Sequence, residues 1–431
     1  MRHFGADASG ALGGPDWLSE RRRAALERLD ELAPPTADGA EVWRYSPIDQ
    51  LDLDAFTPAG AARSDLSGAL TLAEEFGRGP RIVVANGRIV SVERGTLAQS
   101  VGFGPAPGSG GTSEALGTVA GANDFFVTLN DAFLPDVAVL EVPPKVVLEE
   151  PVVIVHWHDP AGPDGPAPST FARTLVHVSE DAQAQVIEVY AGGQGPGRSL
   201  VVPVGELVVE DRGRLAYVMV QNLGPHCWTL ARIGASVGRD ATLRTFTAGL
   251  GAAYGRCRLD ASASGEGGST EITSVYLGSG DQVHDVRTMQ DHVAAHTTSD
   301  LLCKGAVAER SSSIYSGLIR VRNGAVRSDA VQTNHNLVLD ESAHASSLPI
   351  LDIEENDVRC AHASSVGPLN EDQRYYLESR GLSPERAERL IVLGFFEDIV
   401  ARAPISSAQG PLRSRIGHRL GALLGRGGGD G

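Results

Sequence analysis

The rhythm of polar and apolar positions changes twice along this chain. Behind Pro15-Asp16, Trp17, Ala25, Leu29 and Leu32 recur at helical spacing, and Pro34-Pro35 ends the run; this predicts an opening helix over WLSERRRAALERLDEL. EVWRYSPIDQLDLDAF (41–56) follows, then a mixed region to about residue 115. Within it GFGPAPGSGGTSEALGT (102–118) has the Gly/Ser/Pro content of a mobile loop. From about residue 130 the pattern becomes that of short strands: VAVLEV (137–142), VVIVH (152–156), RTLVHV (173–178), AQVIEVY (184–190), GELVVE (205–210), RLAYVMV (214–220), ATLRTFT (241–247), TEITSVYL (270–277) and a run within 325–339. These segments are rich in Val, Ile, Thr and Leu and are separated by Gly, Asp or Asn, with no long helical stretch for roughly 220 residues. Helical spacing returns at the end. Asn370 and Gln373 form a capping box and Gly381 closes that helix. Ser383-Pro384 opens a second, in which Ala387, Leu390, Ile391, Phe395 and Ile399 make an apolar stripe.

So many strands fit either a sandwich or barrel of hairpins, or a solenoid whose coils stack on one another. Hairpin dipeptides are scarce, Asn86-Gly87 and Asn323-Gly324 being the clearest, and no repeat period is visible. The pattern leaves the choice open with a lean to the solenoid. The expected division is an N-terminal α/β region (1–128), a β core (129–366), a C-terminal helical domain (367–403) and a Gly-rich flexible tail (404–431). In the tail, Leu412, Ile416, Leu420, Leu423 and Leu424 among arginines have the makings of a short amphipathic helix.

Composition narrows the functions. At 431 residues the chain has room for two or three structural units, and 42% hydrophobic residues supply a core. A net charge of −17 repels phosphate backbones, so no nucleic-acid partner is expected. Cys227, Cys257, Cys303 and Cys360 include no CxxC pair, which argues against a structural zinc site and a disulfide framework and for a reduced compartment. The N-terminal segment lacks a signal-peptide core and no apolar run is long enough to cross a bilayer; a cytoplasmic protein without a membrane partner is expected. P-loop, dinucleotide-binding, nucleophile-elbow and HExxH motifs are missing, which removes most enzyme classes readable from one sequence.

Three constellations remain. In DVRCAHASS (357–365), Cys360 and His362 project from one face if the segment is extended. A neighbouring histidine can lower a thiol's pKa and supply a second soft or borderline metal ligand. Two ligands are too few for a closed site, so it would borrow ligands from a partner chain or remain transient; the alternative is that Cys360 simply packs in the core. The second constellation is His284, Asp285, Asp291, His292 and His296. His284, His292 and His296 would be the ligands of a cupin-like metal centre, with polar residues along the flank of a sheet as the plainer reading. The third is QTNHNLVL (332–339), where Asn334 and Asn336 share a face and suit a structural role between stacked coils.

EVWRYSPIDQLDL, HTTSDLLCKGAVAERSSSIYSGLIRV (296–321) and the block from VQTNHNLVL through Cys360-Ala361-His362 to YYLESRG resemble segments of the SufB/SufD family of iron–sulfur cluster assembly proteins. The SufD branch is the nearer. Asn334-His335-Asn336 stands where the SufB branch has Cys-Asp-Ser, and Cys360-Ala361-His362 where it has His-Glu-Ala. His335 replaces a frequent basic residue and Ala363 a usual glycine. The resemblance implies a mainly β chain, a right-handed parallel β-helix core with a helical N-terminal region and a helical C-terminal domain. It implies a non-catalytic scaffold subunit of a cytosolic complex with a SufB-like chain and a SufC-like ABC-type ATPase, and self-pairing as a homodimer. Cys360 and His362 match the family's C-x-H, where iron or a nascent cluster is held at the SufB–SufD interface, and the helices at 370–402 match the ATPase-docking part. No tightly bound cofactor is implied, only transient iron or an iron–sulfur cluster, and whether a reduced flavin joins the complex stays open. A β-helix carbohydrate-active enzyme is the alternative; it needs carboxylates converging on a groove, and no convincing pair is found.

Overall fold

The computed structural model describes residues 1–62, 65–107, 115–121, 124–159, 167–192 and 194–424. In chain order the first elements are α1 Ala6–Gly10, α2 Asp16–Glu31, β1 Phe56–Pro58, α3 Ser67–Phe76, β2 Arg81–Ala85, β3 Arg88–Glu93, β4 Gly102–Pro105, α4 Phe125–Phe133, β5 Ala138–Val142, β6 Val152–His158 and β7 Ala167–Thr170. Strands then follow one another. They are β8 Arg173–Val178, β9 Gln183–Gly192, β10 Ser199–Val201, β11 Val204–Val209, β12 Arg214–Leu223, β13 Cys227–Val237, β14 Thr242–Gly249 and β15 Tyr254–Ala263. The series continues with β16 Ser269–Gly278, β17 Val283–His292, β18 Thr298–Val307, β19 Ser312–Val321, β20 Asp329–Val338, β21 His344–Ile353 and β22 Arg359–Gly367. Helices α5 Glu371–Ser379, α6 Pro384–Val400 and α7 Ser406–Leu424 come last.

From β11 on, successive strands alternate between two sheets, so the chain winds as a parallel β-solenoid of about seven turns. One sheet is ordered β21-β19-β17-β15-β13-β11-β8-β5-β4, the other β22-β20-β18-β16-β14-β12-β9-β6-β2-β3. The coils are in straight register. Leu215, Leu243, Thr270, Ser299 and Ala330 form one inward column of the second sheet, and Tyr217, Thr245, Ile272, Leu301 and Gln332 the next. Because successive side chains of a strand point to opposite faces, each column is buried in the interior while its neighbours point out.

One turn repeats from coil to coil. Two residues before β9, β12, β14, β16, β18 and β20 stand Asp181, Arg212, Asp240, Gly267, His296 and Arg327, all with positive φ. The amide of each donates to a carbonyl of the following coil, as from Arg212 to Arg239 at 2.7 Å and from His296 to Val326 at 2.9 Å. Only one of the six is glycine, so the repeat is set by backbone conformation and leaves almost no mark on the sequence.

Both sheets are covered outside. Leu175, Leu230 and Tyr254 of the first pack with Leu18, Ala25 and Leu29 of α2, with α4 and with Trp43. Arg256 and Arg287 reach out to the carbonyls of Val42 (2.7 Å) and Arg44 (2.6 Å), and Arg256 lies 3.9 Å over the Trp43 ring. The EVWRY segment is therefore bound through its backbone and its tryptophan. On the second sheet Val218, Phe246, Val275 and Leu302 pack with α3, α6 and α7.

Within the N-terminal α/β region, β2 pairs in parallel with β6 and extends the second sheet. Two expectations need correction. Gly102–Pro105 of the supposed loop is strand, antiparallel to β5; residues 108–114 of it lie outside the described residues. The tail is helical through Leu424, with Leu412, Ile416 and Leu420 buried. Each such side chain contributes about 1.5–3 kcal/mol on burial, which is why this helix holds to the sheet despite its glycines.

Candidate functional site

The two columns that begin at Leu215 and Tyr217 end on β22. Ala330 is paired with Cys360 and Gln332 with His362. Both side chains therefore occupy inward positions, about 6.6 Å apart along one strand, in the coil after which the solenoid stops. What is interior elsewhere lies open here. Ala330 and Gln332 are buried, whereas Cys360 is half-buried and His362 exposed. Leu351, Ile353 and Val366 stand in the same situation, 39%, 41% and 46% exposed at positions whose counterparts one coil earlier are covered. Ser364 Oγ donates to Ser347 Oγ at 2.8 Å across the end, joining β22 to β21. β21 and β22 are the last strands of their sheets, and among the described residues no strand pairs with their outer edges.

Cys360 rests on Ile319, Val321, Ala325 and Ala330. Burial raises its thiol pKa, and the negative charge of Asp329 raises it further. The expected lowering by a neighbouring histidine is not found: His362 is the next residue on that face but is solvated, and the apolar bed under the sulfur dominates. The free chain thus presents a thiol at this position.

The second constellation does not assemble. His284 and His292 point inward in different columns, His292 between the Thr297 and Ser299 hydroxyls at 2.8 Å each. His296 is a turn residue, and Asp285 and Asp291 point outward to arginines. Asp285 holds Arg256, Arg287 and the Tyr254 hydroxyl, and so supports the docked N-terminal segment. Among the described residues no three His, Cys, Asp or Glu side chains are grouped to hold a metal. Asn334 and Asn336 are structural but lie inside the solenoid: Asn334 Nδ2 donates to the Cys303 carbonyl at 3.3 Å, and Asn336 Nδ2 to Asn334 Oδ1 at 2.7 Å. The Tyr276 hydroxyl donates to Asn336 Oδ1. On these faces Asp260, Asp285, Asp291, Asp352 and Glu271 are each held by arginine.

The other open surface is helical. Asn370 accepts from the Gln373 amide at 3.0 Å, Gly381 has φ +90, and Pro384 begins α6, all as the sequence signals. The buried face of α6 is Ala387, Val392, Phe396, Ile399 and Val400, rotated from the predicted stripe. Leu390, 50% exposed, and Ile391 instead line a groove with Tyr376 and Leu377 of α5, beside an exposed Tyr375. Lys304, on the outer face of β18, ties α6 to the solenoid through Asp398 (2.6 Å) and the Phe395 carbonyl (3.1 Å). Sequence reasoning missed this lysine's role, although it is one of only two in the chain.

The fold and the site thus define a parallel β-solenoid whose last coil leaves inward positions uncovered and whose C-terminal helix pair holds apolar side chains in a groove. Residues 162–395, more than half the chain, match the SufBD core domain of SUF-system FeS cluster assembly, and the chain belongs to that family. It is 30% identical over 389 residues, 88% of either chain, to an iron–sulfur cluster assembly SufBD family protein of Mycobacterium tuberculosis. It is 29% identical over 293 residues to the iron–sulfur cluster assembly protein SufD of Bacillus subtilis, spanning 68% of this chain and 66% of that one. With SufD of Escherichia coli the figure is 25% over 405 residues, 93% of both. Among the described residues no helix is long and apolar enough to cross a membrane.

Proposed function

We propose that this chain is the SufD-like subunit of a SufB–SufC–SufD scaffold in the cytoplasm, non-catalytic itself, and that its open end meets a SufB-like chain. The observation that carries the reading is the position of Cys360 and His362: interior by register, uncovered by position, and too few to close a coordination sphere. A facing chain that continues the two sheets would cover Leu351, Ile353 and Val366, pair the free backbone edges and supply the remaining ligands. Iron or a nascent cluster is cargo at that junction. A second copy of this chain can take the same place when the partner is lacking.

The groove of α5 and α6 is the docking site we assign to a SufC-like ATPase, whose nucleotide-driven movement would reach the solenoid through Lys304 and Asp398. The test is cluster formation by the complex reconstituted with wild-type, Cys360→Ala or His362→Ala chain, followed by absorbance of the cluster. Either substitution is expected to lower the yield several-fold, while the complex still forms and the chain's Tm stays within about 1 °C, since both side chains sit at the uncovered end. Normal yield from both variants rules out the site; failure to co-purify with a SufB-like chain and an ATPase rules out the complex.

A further inference from the structure

Midway along the solenoid the interior is not filled. A cavity of about 30 Å³ lies between the sheets, bounded by Gln221, Thr229, Gly249, Gly255, Cys257 and His284. Register explains the gap. On the first sheet Thr229, Gly255 and His284 form one column, and on the second Gln221 is followed by Gly249, so both columns carry a glycine at the level of the void. A methyl group on Gly255 would come within 3.4 Å of His284 Nδ1, and one on Gly249 within 3.2 Å of the same atom. Cys257 also lines this space, and burial pushes its thiol up to about 12.

The polar atoms around the void are unmatched. Gln221 uses its Oε1 to accept from the Gly251 amide at 2.8 Å, but its Nε2 has no partner among the described residues. The same holds for Thr229 Oγ1, and His284 turns its Nδ1 toward the two glycines. Buried polar groups without partners are rare in folded proteins, and when several border one small void the usual occupant is water. At about 10–15 Å³ per water-sized sphere, this volume takes two. We infer that the cavity is a binding site for two ordered water molecules, held by Gln221, Thr229 and His284, which complete the interior where side chains do not.

Water magnetic relaxation dispersion on the full chain counts long-lived internal waters and tests this directly. Gly255→Ala narrows the void, so the long-lived signal is expected to fall by one or two molecules relative to wild type. Thr229→Val keeps the volume but removes a hydrogen-bonding group, and is expected to lower Tm by about 1–3 °C. An unchanged signal in Gly255→Ala overturns the inference. So does a higher Tm for Thr229→Val, the outcome for a dry void relieved of an unpaired hydroxyl. Should Gly255→Ala not fold, xenon uptake by the wild-type chain decides, because xenon enters dry apolar cavities and not hydrated ones.

Discussion

Lys304 and Gly305 are neighbours with opposite duties. The lysine faces outward to α6, while Gly305 sits at an inward position directly over Tyr276. A Cβ on Gly305 would lie 1.9 Å from the Tyr276 ring, whose hydroxyl fixes Asn336 and through it Asn334. Glycine is required for closeness rather than for backbone freedom. Gly305→Ala is expected to destabilise the chain by about 1–3 kcal/mol through overpacking, read as a lower midpoint in urea unfolding. The effect should shrink when Tyr276→Phe or a smaller residue lets the ring move. Cys360 and His362 answer to a different constraint. Cys360 has an apolar bed beneath it and His362 is exposed, so neither is packed as tightly as Gly305 against Tyr276.

At the level of elements, the join between α6 and the solenoid is unequal on its two sides. Lys304 is mostly buried, at 10% side-chain exposure, whereas Asp398 is 63% exposed. Losing the aspartate strands an ammonium with little water, while losing the lysine leaves a carboxylate in solvent. Asp398→Ala is therefore expected to cost more than Lys304→Met, about 1–2 kcal/mol, between the values for surface and buried pairs. Hydrogen exchange should show the loss as faster opening of residues 384–400 than of the central strands.

Which elements could be read from sequence follows from where they lie. RTLVHV and AQVIEVY announce β8 and β9 because both faces of those strands are buried in apolar surroundings. Strands β17 and β22 are polar on inward positions, with His284, Gln290 and His362, and their alternation is invisible to a hydrophobic pattern. Helix ends were legible at Asn370, Gly381 and Pro384, where capping is a local matter. The turn of α6 was not, since which side of it meets Phe246 and Leu302 depends on the whole stack. The pair Cys360 and His362 was visible as a spacing; that it stands at an unfinished end needed the register of seven coils. The coil repeat itself escaped because Asp181, Arg212, Asp240, His296 and Arg327 adopt positive φ without being glycine.

For the molecule as a whole, the buried imidazoles set an acid limit. Burial lowers His158 to about 3 and His284 and His292 to about 4. In the unfolded chain they take up protons near the ordinary value of 6.5. Their contribution is therefore fully present above that pH and is lost as pH falls toward 4. Each adds about 1.4 kcal/mol per pH unit once the unfolded chain is charged, roughly 4 kcal/mol per unit for the three together. Thermal unfolding from pH 7 to pH 4.5 should show Tm nearly flat at first and falling steeply below about pH 6. His292→Gln should flatten that fall by roughly a third.

The uncovered last coil has a consequence for how the protein behaves in solution. If two such ends zip together face to face, as proposed above, the charge of −17 on each copy opposes them. Mutual repulsion would keep single copies dispersed in dilute salt and would relax as counterions accumulate. On that proposal colloidal behaviour and assembly are tied to one surface, and the concentration of ions around the chain governs whether it stays single.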